Sequence, residues 1–311
     1  MTVLLGVVAP IFGIMLVGFL ASRWQVIDER GVRGLVLFVF NFAIPMLLFR
    51  SLARIELPSD IAWGFLASFY AASFSTYALG LAVGRWTFRR SLDEQAIFGM
   101  GASFSNTVLL GIPVVLTAFG PEAALPLFLI IAFHSATLMP LTVGLIQWAR
   151  EDGVSLRSQV GAVSGQVFRN PIVMGLLLGF LVNRIGVTLP APVDRFAELL
   201  GGAAVPCALF AMGASLAGYP LAGDMRPALV LTGLKLLAHP LLVWIFAVPL
   251  LGVEGLPVAV AVVLGGMPSG VNVYLFGARY RAAPDVAART VLLSSLCAVG
   301  TISALLILFA G

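Results

Sequence analysis

Ten apolar stretches follow one another along the chain, and this succession is the feature that most constrains its fold. An α-helix needs about 20 mostly apolar residues to cross a hydrocarbon core roughly 30 Å thick, and each stretch is close to that length. Charged residues make up 10% of the chain, so no sizeable soluble domain is expected beside the stretches. We therefore predict an all-α membrane protein with ten transmembrane spans, at 3–22, 34–53, 61–84, 95–118, 123–148, 171–189, 196–217, 226–249, 256–278 and 284–310.

Arginines are unevenly distributed between the two sets of alternating loops. Twelve lie on one side and four on the other, and arginine-rich loops stay in the cytoplasm. Both termini are then expected on the periplasmic or extracellular side of the inner (plasma) membrane. The larger set is Arg23, Arg30, Arg33, Arg85, Arg89, Arg90, Arg150, Arg157, Arg169, Arg226, Arg279 and Arg281; the smaller set is Arg50, Arg54, Arg184 and Arg195.

The second half of the chain repeats the first. Seven of fourteen residues are identical, without a gap, between 10–23 and 171–184, an offset of 161. The same offset aligns AIPMLLF at 43–49 with AVPCALF at 204–210. A membrane composition alone would give only about one or two identities in each such window.

The repeat continues into spans 4 and 9 at a slightly larger offset. GMGASFSNTVLLG at 99–111 aligns with GGMPSGVNVYLFG at 265–277. Each repeat contains five spans, an odd number, so the second must be inverted relative to the first, as in many secondary transporters. The predicted organisation is a first repeat at 1–148, a cytoplasmic linker at 149–170 and a second repeat at 171–311.

Spans 4 and 9 are interrupted at corresponding places. Glycine and proline within the membrane weaken the helical hydrogen-bond ladder, and freed backbone groups can hold a ligand. Helix N-termini favour anions, and asparagine adds amide donors. Alternatively, such asparagines only hydrogen-bond neighbouring helices to one another. The predicted helix-break residues are Gly111, Pro113, Pro268 and Gly270, and the candidate substrate contacts beside them are Ser103, Asn106, Ser269 and Asn272.

These motifs resemble the auxin efflux carrier family, which includes plant auxin carriers and bacterial carriers of malonate or malate. The resemblance rests on FNFAIPMLLF at 40–49, SFSNTVLLGIPV at 103–114, AVPCALFAMGASL at 204–216 and GGMPSGVNVYLFGARY at 265–280, and it extends over essentially the whole chain.

The resemblance implies a fold similar to bile-acid symporters and sodium/proton antiporters. Spans 1, 2, 6 and 7 would form a scaffold, and spans 3–5 and 8–10 a mobile transport domain in which broken helices 4 and 9 cross. It also implies a substrate carboxylate near the crossover, contacts from Asn106 and Asn272, and a homodimer.

Four further polar residues lie deep in predicted spans. Lys235, the only lysine, is either a cation that attracts or is coupled to an anionic substrate or a lysine that snorkels into a water-filled crevice. His134 and His239 are either proton relays or hydrogen-bonded core residues. Asn41 either lines the pocket or caps carbonyls freed by Pro45.

Together these features predict a secondary active or potential-driven carrier of small organic anions that works by elevator-type alternating access. The acidic residues lie near span ends or in loops, which argues against coupling through a buried acid. A cation-coupled symporter or exchanger of the same fold is the alternative, followed by a membrane sensor. No enzymatic activity, cofactor, metal or nucleic-acid partner is predicted.

Overall fold

The computed structural model describes residues 4–55, 63–150, 170–219 and 222–310, whose regular structure is helical. In this part of the chain there is no strand, and the isolated bridge Ser105–Ser269 is the one β-type pairing recorded. The helices in chain order are α1 Gly6–Arg23, α2 Glu29–Arg54, α3 Gly64–Thr87, α4 Leu92–Ser103, α5 Thr107–Phe119, α6 Pro121–Ala149, α7 Pro171–Arg184, α8 Ala191–Leu216, α9 Arg226–Leu250, α10 Leu256–Gly265, α11 Asn272–Arg279 and α12 Pro284–Ala310.

Seven of these helices are long and apolar enough to cross a membrane: α1, α2, α3, α6, α8, α9 and α12. Predicted spans 4 and 9 each contain two short helices, α4 with α5 and α10 with α11, and predicted span 6 contains the shorter α7. The all-helical fold class is thus confirmed. Most of the predicted linker, 149–170, lies outside the described residues.

Four prolines inside the spans each follow a π-helical turn, whereas Pro140 lies within α-helical structure. Such a turn ends two residues before each of Pro10, Pro45, Pro113 and Pro240. Proline has no N–H, and its ring clashes with the carbonyl four residues earlier, so wider i→i+5 bonding lets the helix continue past it. Pro113 and nearby Gly111 therefore lie within a continuous α5, and the helix break in this span comes earlier, at 104–106.

The described residues group into two compact units. The first contains 4–55, 108–132 and 170–218, and the second contains 63–107, 133–150, 219 and 222–310.

Glycines make the closest helix contacts in the first unit. A Cβ at Gly18 in α1 would overlap the Phe210 carbonyl oxygen in α8, and a Cβ at Gly179 in α7 would lie 2.5 Å from the Phe49 carbonyl oxygen in α2. The two contacts are related by the 161-residue offset of the sequence repeat. Small residues allow this close backbone approach between membrane helices. The first helix of each half thus packs against the second helix of the other half.

In the second unit, α3 packs against α4, α9 and α10. A Cβ at Gly80 in α3 would lie 2.6 Å from the Phe98 carbonyl oxygen in α4. The Tyr77 hydroxyl is 3.1 Å from the Ala96 carbonyl oxygen and 3.0 Å from the Thr142 hydroxyl in α6. These contacts hold α4 in place up to Ser103, where the candidate site begins.

Candidate functional site

Two short non-helical segments of the second unit form the centre of the candidate site. Residues 104–106 separate α4 from α5, and residues 266–271 separate α10 from α11. We name them the first break and the second break, and together the paired breaks.

The paired breaks hydrogen-bond to each other through their backbones. The Asn106 amide donates to the Pro268 carbonyl at 2.8 Å, and the Gly270 amide donates to the Phe104 carbonyl at 2.9 Å. A hydrocarbon environment offers no water to unpaired backbone groups, so non-helical backbone persists there only where protein or a cavity satisfies it. Each break therefore stabilises the other.

A side chain from the next predicted span, span 5 or span 10, holds each break. The Ser105 amide of the first break donates to His134 Nε2 in α6 at 2.9 Å, and the Ser269 amide of the second break donates to Ser294 Oγ in α12 at 3.0 Å. All four residues are buried. The two interactions occupy similar places in the two halves but use different acceptors.

Further contacts tie the second break to α4. The Ser269 hydroxyl donates to the Gly101 carbonyl at 2.7 Å, whereas the Ser103 hydroxyl bonds within its own helix to the Gly99 carbonyl at 2.9 Å. A Cβ at Gly270 would lie 2.9 Å from the Phe104 ring, so this close approach requires glycine.

Lys235 is fully buried and is the first residue in a series of hydrogen bonds. Its Nζ donates to the Gly265 carbonyl at 2.5 Å, is 3.1 Å from His239 Nδ1, and His239 Nε2 is 3.0 Å from Ser73 Oγ. The single Ser73 hydroxyl proton goes to the Phe69 carbonyl at 2.8 Å, so His239 Nε2–H must be the donor to Ser73. His239 Nδ1 then accepts from Lys235, and the imidazole is neutral.

Aromatic contacts connect the hydrogen-bonded residues Lys235, His239 and Ser73 with the first break. The Phe69 ring lies 5.6 Å from the His134 ring and 5.6 Å from the His239 ring, centroid to centroid. The Phe104 ring lies 4.6 Å from the His134 ring. The two histidines and the break thus share one buried cluster.

Acidic side chains lie outside this cluster. Among the described residues, no aspartate or glutamate is buried, and none forms an ion pair with Lys235. The same residues contain no group of three or more metal-ligating side chains. The ionisable side chains buried near the paired breaks are therefore basic ones: Lys235, His134 and His239.

The structure brings most of the predicted site residues together in the second unit. Asn106 and Pro268 bond to each other through their backbones, and half-buried Asn272 is the first residue of α11. Asn41 lies in the first unit, where its side-chain amide donates to the Leu37 carbonyl at 2.8 Å, so it caps a carbonyl of its own helix.

Sequence reasoning missed Ser73, Ser105 and Ser294, which take part in the cluster. Ser105 lies next to the predicted Asn106, so its proximity was a usable signal. Ser73 and Ser294 carry no such signal, because serine is common in membrane helices and only the tertiary contacts distinguish them.

Comparison with known proteins identifies the family. A family model described as "Membrane transport protein" matches residues 3–164 and 154–306. The chain belongs to this membrane transport family. The predicted auxin efflux carrier resemblance is thereby confirmed, and the chain is a multi-pass membrane protein.

Among the relatives of this chain, several are named as transporters and one as a signalling protein. A Rhizobium meliloti protein named "Putative malonate transporter" is 29% identical over 97% of this chain and 95% of its own length. An "Uncharacterized transporter" of Methanothermobacter thermautotrophicus is 30% identical over 84% of each chain. The "Lysosomal cholesterol signaling protein" of Mus musculus is 29% identical over 74% of this chain, which corresponds to 28% of the mouse protein.

Proposed function

We propose that this protein carries small organic anions across the membrane by elevator-type alternating access, with the substrate bound at the paired breaks. The reciprocal backbone hydrogen bonds between the breaks are the observation that carries the proposal. Interrupted helices in corresponding positions of two halves are the best sequence-level indication of a transporter binding site, and here the interruptions lie in contact.

The electrostatics of the second unit support an anionic substrate. Helices α5 and α11 begin at Thr107 and Asn272, immediately after the breaks, and helix N-termini attract negative charge. Lys235 adds a buried basic side chain with no acidic partner among the described ion pairs. An ionisable residue within the membrane usually marks a substrate or ion pathway.

The proposed architecture is ten transmembrane helices in two inverted repeats, with a scaffold of spans 1, 2, 6 and 7 and a transport domain of spans 3–5 and 8–10. The equivalent contacts of Gly18 with Phe210 and Gly179 with Phe49 support the repeat. The grouping of spans 1, 2, 6 and 7 in the first unit supports the scaffold, although residues 108–132 also belong to that unit.

Other parts of the proposal rest on the arginine distribution and on the family. We place the protein in the inner membrane as a homodimer with both termini outside. The Rhizobium relative's name suggests dicarboxylates such as malonate or malate as first substrates to test, and auxin-like aromatic acids come next.

The test is uptake of labelled malonate, malate and indole-3-acetate into liposomes that contain the purified protein. At least one acid should accumulate above protein-free liposomes, and Asn106→Ala and Asn272→Ala should each lower uptake about tenfold, a loss of about 1.4 kcal/mol in transition-state binding. Ser68→Ala is the control, because its buried hydroxyl bonds to the Phe65 carbonyl within α3. Wild-type uptake and affinity in both asparagine variants would remove the paired breaks as the site.

The same liposomes distinguish the driving forces. Moving one charge through 100 mV is worth about 2.3 kcal/mol, so a potential-driven carrier should respond to an imposed potassium diffusion potential in sodium-free buffer. Uptake that requires sodium, or that follows a proton gradient at zero potential, would favour the cation-coupled alternative.

A further inference from the structure

The hydrogen bond between Ser105 and His134 determines which histidine nitrogen carries a proton. The Ser105 backbone N–H is a donor, so His134 Nε2 must accept with its lone pair. A neutral imidazole then carries its proton on Nδ1. His134 Nδ1 is buried and has no hydrogen-bond partner among the residues that the structure describes, so the side chain that holds the first break has an unused donor.

The hydroxyl of Ser105, the residue whose amide bonds to His134, is a second polar group left unused. Its Oγ is buried and has no partner among the described residues, although the backbone of the same residue is engaged: the amide donates to His134 Nε2 and the carbonyl accepts from the Thr107 amide at 2.8 Å. Other buried serines of this unit behave differently, because the hydroxyls of Ser68 and Ser73 bond to carbonyls in their own helix. Ser105 lies in non-helical backbone, where no carbonyl four residues earlier is in position.

Two buried polar groups without partners are costly in any fold and especially so in a membrane. Each costs about 1–3 kcal/mol, and buried polar groups in native proteins are nearly always satisfied by protein, water or a ligand. The aromatic rings of Phe69 and Phe104 lie against the His134 imidazole and supply no polar partner for Nδ1.

The chemistry of the two groups selects the kind of ligand that can satisfy them. Nδ1–H can only donate, and a hydroxyl can donate one hydrogen bond. A metal cation such as sodium needs electron pairs and would be repelled by the Nδ1–H dipole. The complementary group is a hydrogen-bond acceptor, and a carboxylate oxygen forms the strongest such bonds.

We propose that Ser105 Oγ and His134 Nδ1–H are the donors that receive a carboxylate of the transported anion at the first break. This inference rests on the proposed function and adds two specific contacts to it. His134 would thus have two tasks: Nε2 holds the Ser105 backbone, and Nδ1 binds the substrate. Both donors are neutral, so they recognise the carboxylate by hydrogen bonds and leave charge compensation to Lys235.

The decisive experiment compares the stability of the substrate-free protein with its affinity for an anion in Ser105→Ala. Thermal unfolding of the purified full chain in detergent is measured with and without malonate, malate or indole-3-acetate, and Kd is measured for the acid that stabilises the wild type most. Because the variant removes an unpaired buried hydroxyl, the substrate-free Tm should stay equal or rise. The affinity for the acid should fall about tenfold.

His134→Gln tests the second donor separately. Glutamine keeps an acceptor carbonyl for the Ser105 amide, but its amide nitrogen is attached one carbon further from the backbone than Nδ1. No donor remains at the Nδ1 position, so affinity should again fall about tenfold. Ser68→Ala is the matched control for removal of a buried hydroxyl, and its Kd should equal that of the wild type.

Three results would overturn the inference. Unchanged Kd in Ser105→Ala and His134→Gln, with a wild type that binds the acid, would reject these contacts and leave the proposed function intact. A lower substrate-free Tm with unchanged Kd would show that the hydroxyl serves the fold or an internal water. A wild type that binds none of the three acids would reject the proposed function together with the inference.

Discussion

The first break is held by an imidazole and the second by a hydroxyl, although the sequence repeat relates the two segments. Ser105 donates to His134 in one half and Ser269 donates to Ser294 in the other. The capping of the preceding helix differs in the same way: the Gly99 carbonyl accepts from Ser103, whereas its repeat equivalent, Gly265, accepts from Lys235.

A third difference lies where the breaks touch. Phe104 and Gly270 occupy equivalent positions of the repeat, and the phenylalanine ring fills the space that the glycine leaves free. The two halves thus share a backbone arrangement but differ in side-chain chemistry. The repeat specifies the geometry of the paired breaks, while substitutions within it concentrate aromatic surface at one break and a basic side chain at the other.

The largest effect is expected where the two breaks touch. Gly270→Val would force a branched side chain against the Phe104 ring, and overpacking of this kind costs about 3 kcal/mol. We expect loss of uptake in liposomes and a clear drop in Tm. Gly300→Ala is the control, because no atom lies within 4 Å of the added Cβ. Adding Phe104→Ala to Gly270→Val should restore part of the stability, and a well-folded, active Gly270→Val protein would contradict the contact.

The next largest effect on stability is expected at the two acceptors that hold the breaks, His134 and Ser294. His134→Ala would leave the Ser105 amide unpaired and remove a ring packed between Phe69 and Phe104, a loss of about 3 kcal/mol. Ser294→Ala would remove only a hydroxyl acceptor, at about 1–2 kcal/mol. Denaturant or thermal unfolding of both variants checks the order. Equal losses would show that the imidazole and the hydroxyl contribute alike.

Lys235 distinguishes function from stability at the second break. Lys235→Met removes a basic group that is costly to desolvate but also its hydrogen bonds to the Gly265 carbonyl and His239, and because these two effects oppose each other Tm should change little. Uptake of the organic anion should nevertheless fall about tenfold, because the compensating cation is lost. Paired measurements of Tm and uptake decide the matter, and a destabilised variant with wild-type affinity for the anion would assign Lys235 a purely structural role.

The smallest difference is expected between the two equivalent serines. Ser269→Ala breaks a hydrogen bond from the second break to α4 and should cost about 1 kcal/mol. Ser103→Ala removes a bond within one helix turn and should cost at most about 0.5 kcal/mol. A Tm comparison in the same detergent suffices. The reverse order would mean that the bond from Ser269 to Gly101 contributes little.

Much of the fold was predictable from three features of the sequence: the length of the apolar stretches, the small number of charged residues, and the similarity between the two halves. The helical fold class and the pairing of interrupted spans 4 and 9 followed from these, because span length is set by membrane thickness and the repeat aligns the interruptions. The position of the first break was less predictable. Pro113 suggested a break near Gly111, but a π-helical turn absorbs a proline, and the actual break at 104–106 contains neither proline nor glycine.

Some residues of the candidate site could likewise be predicted from the sequence, and others could not. Asn106, Asn272, Pro268 and Ser269 could be named from the repeat, because local sequence marks them as interruptions. Ser294 and Ser73 could not, because each acts through a partner distant in sequence.

By itself, the sequence determined that this chain is a helical membrane protein of a transport family, with two related halves interrupted at corresponding places. These properties depend on composition and on local similarity, which need no contacts. Only the tertiary structure decided that the interruptions hydrogen-bond to each other, that His134 carries its proton on Nδ1, and that Lys235 pairs with His239 instead of an acid. Hydrogen bonds are short and directional, so their partners follow from three-dimensional placement and not from the order of residues along the chain.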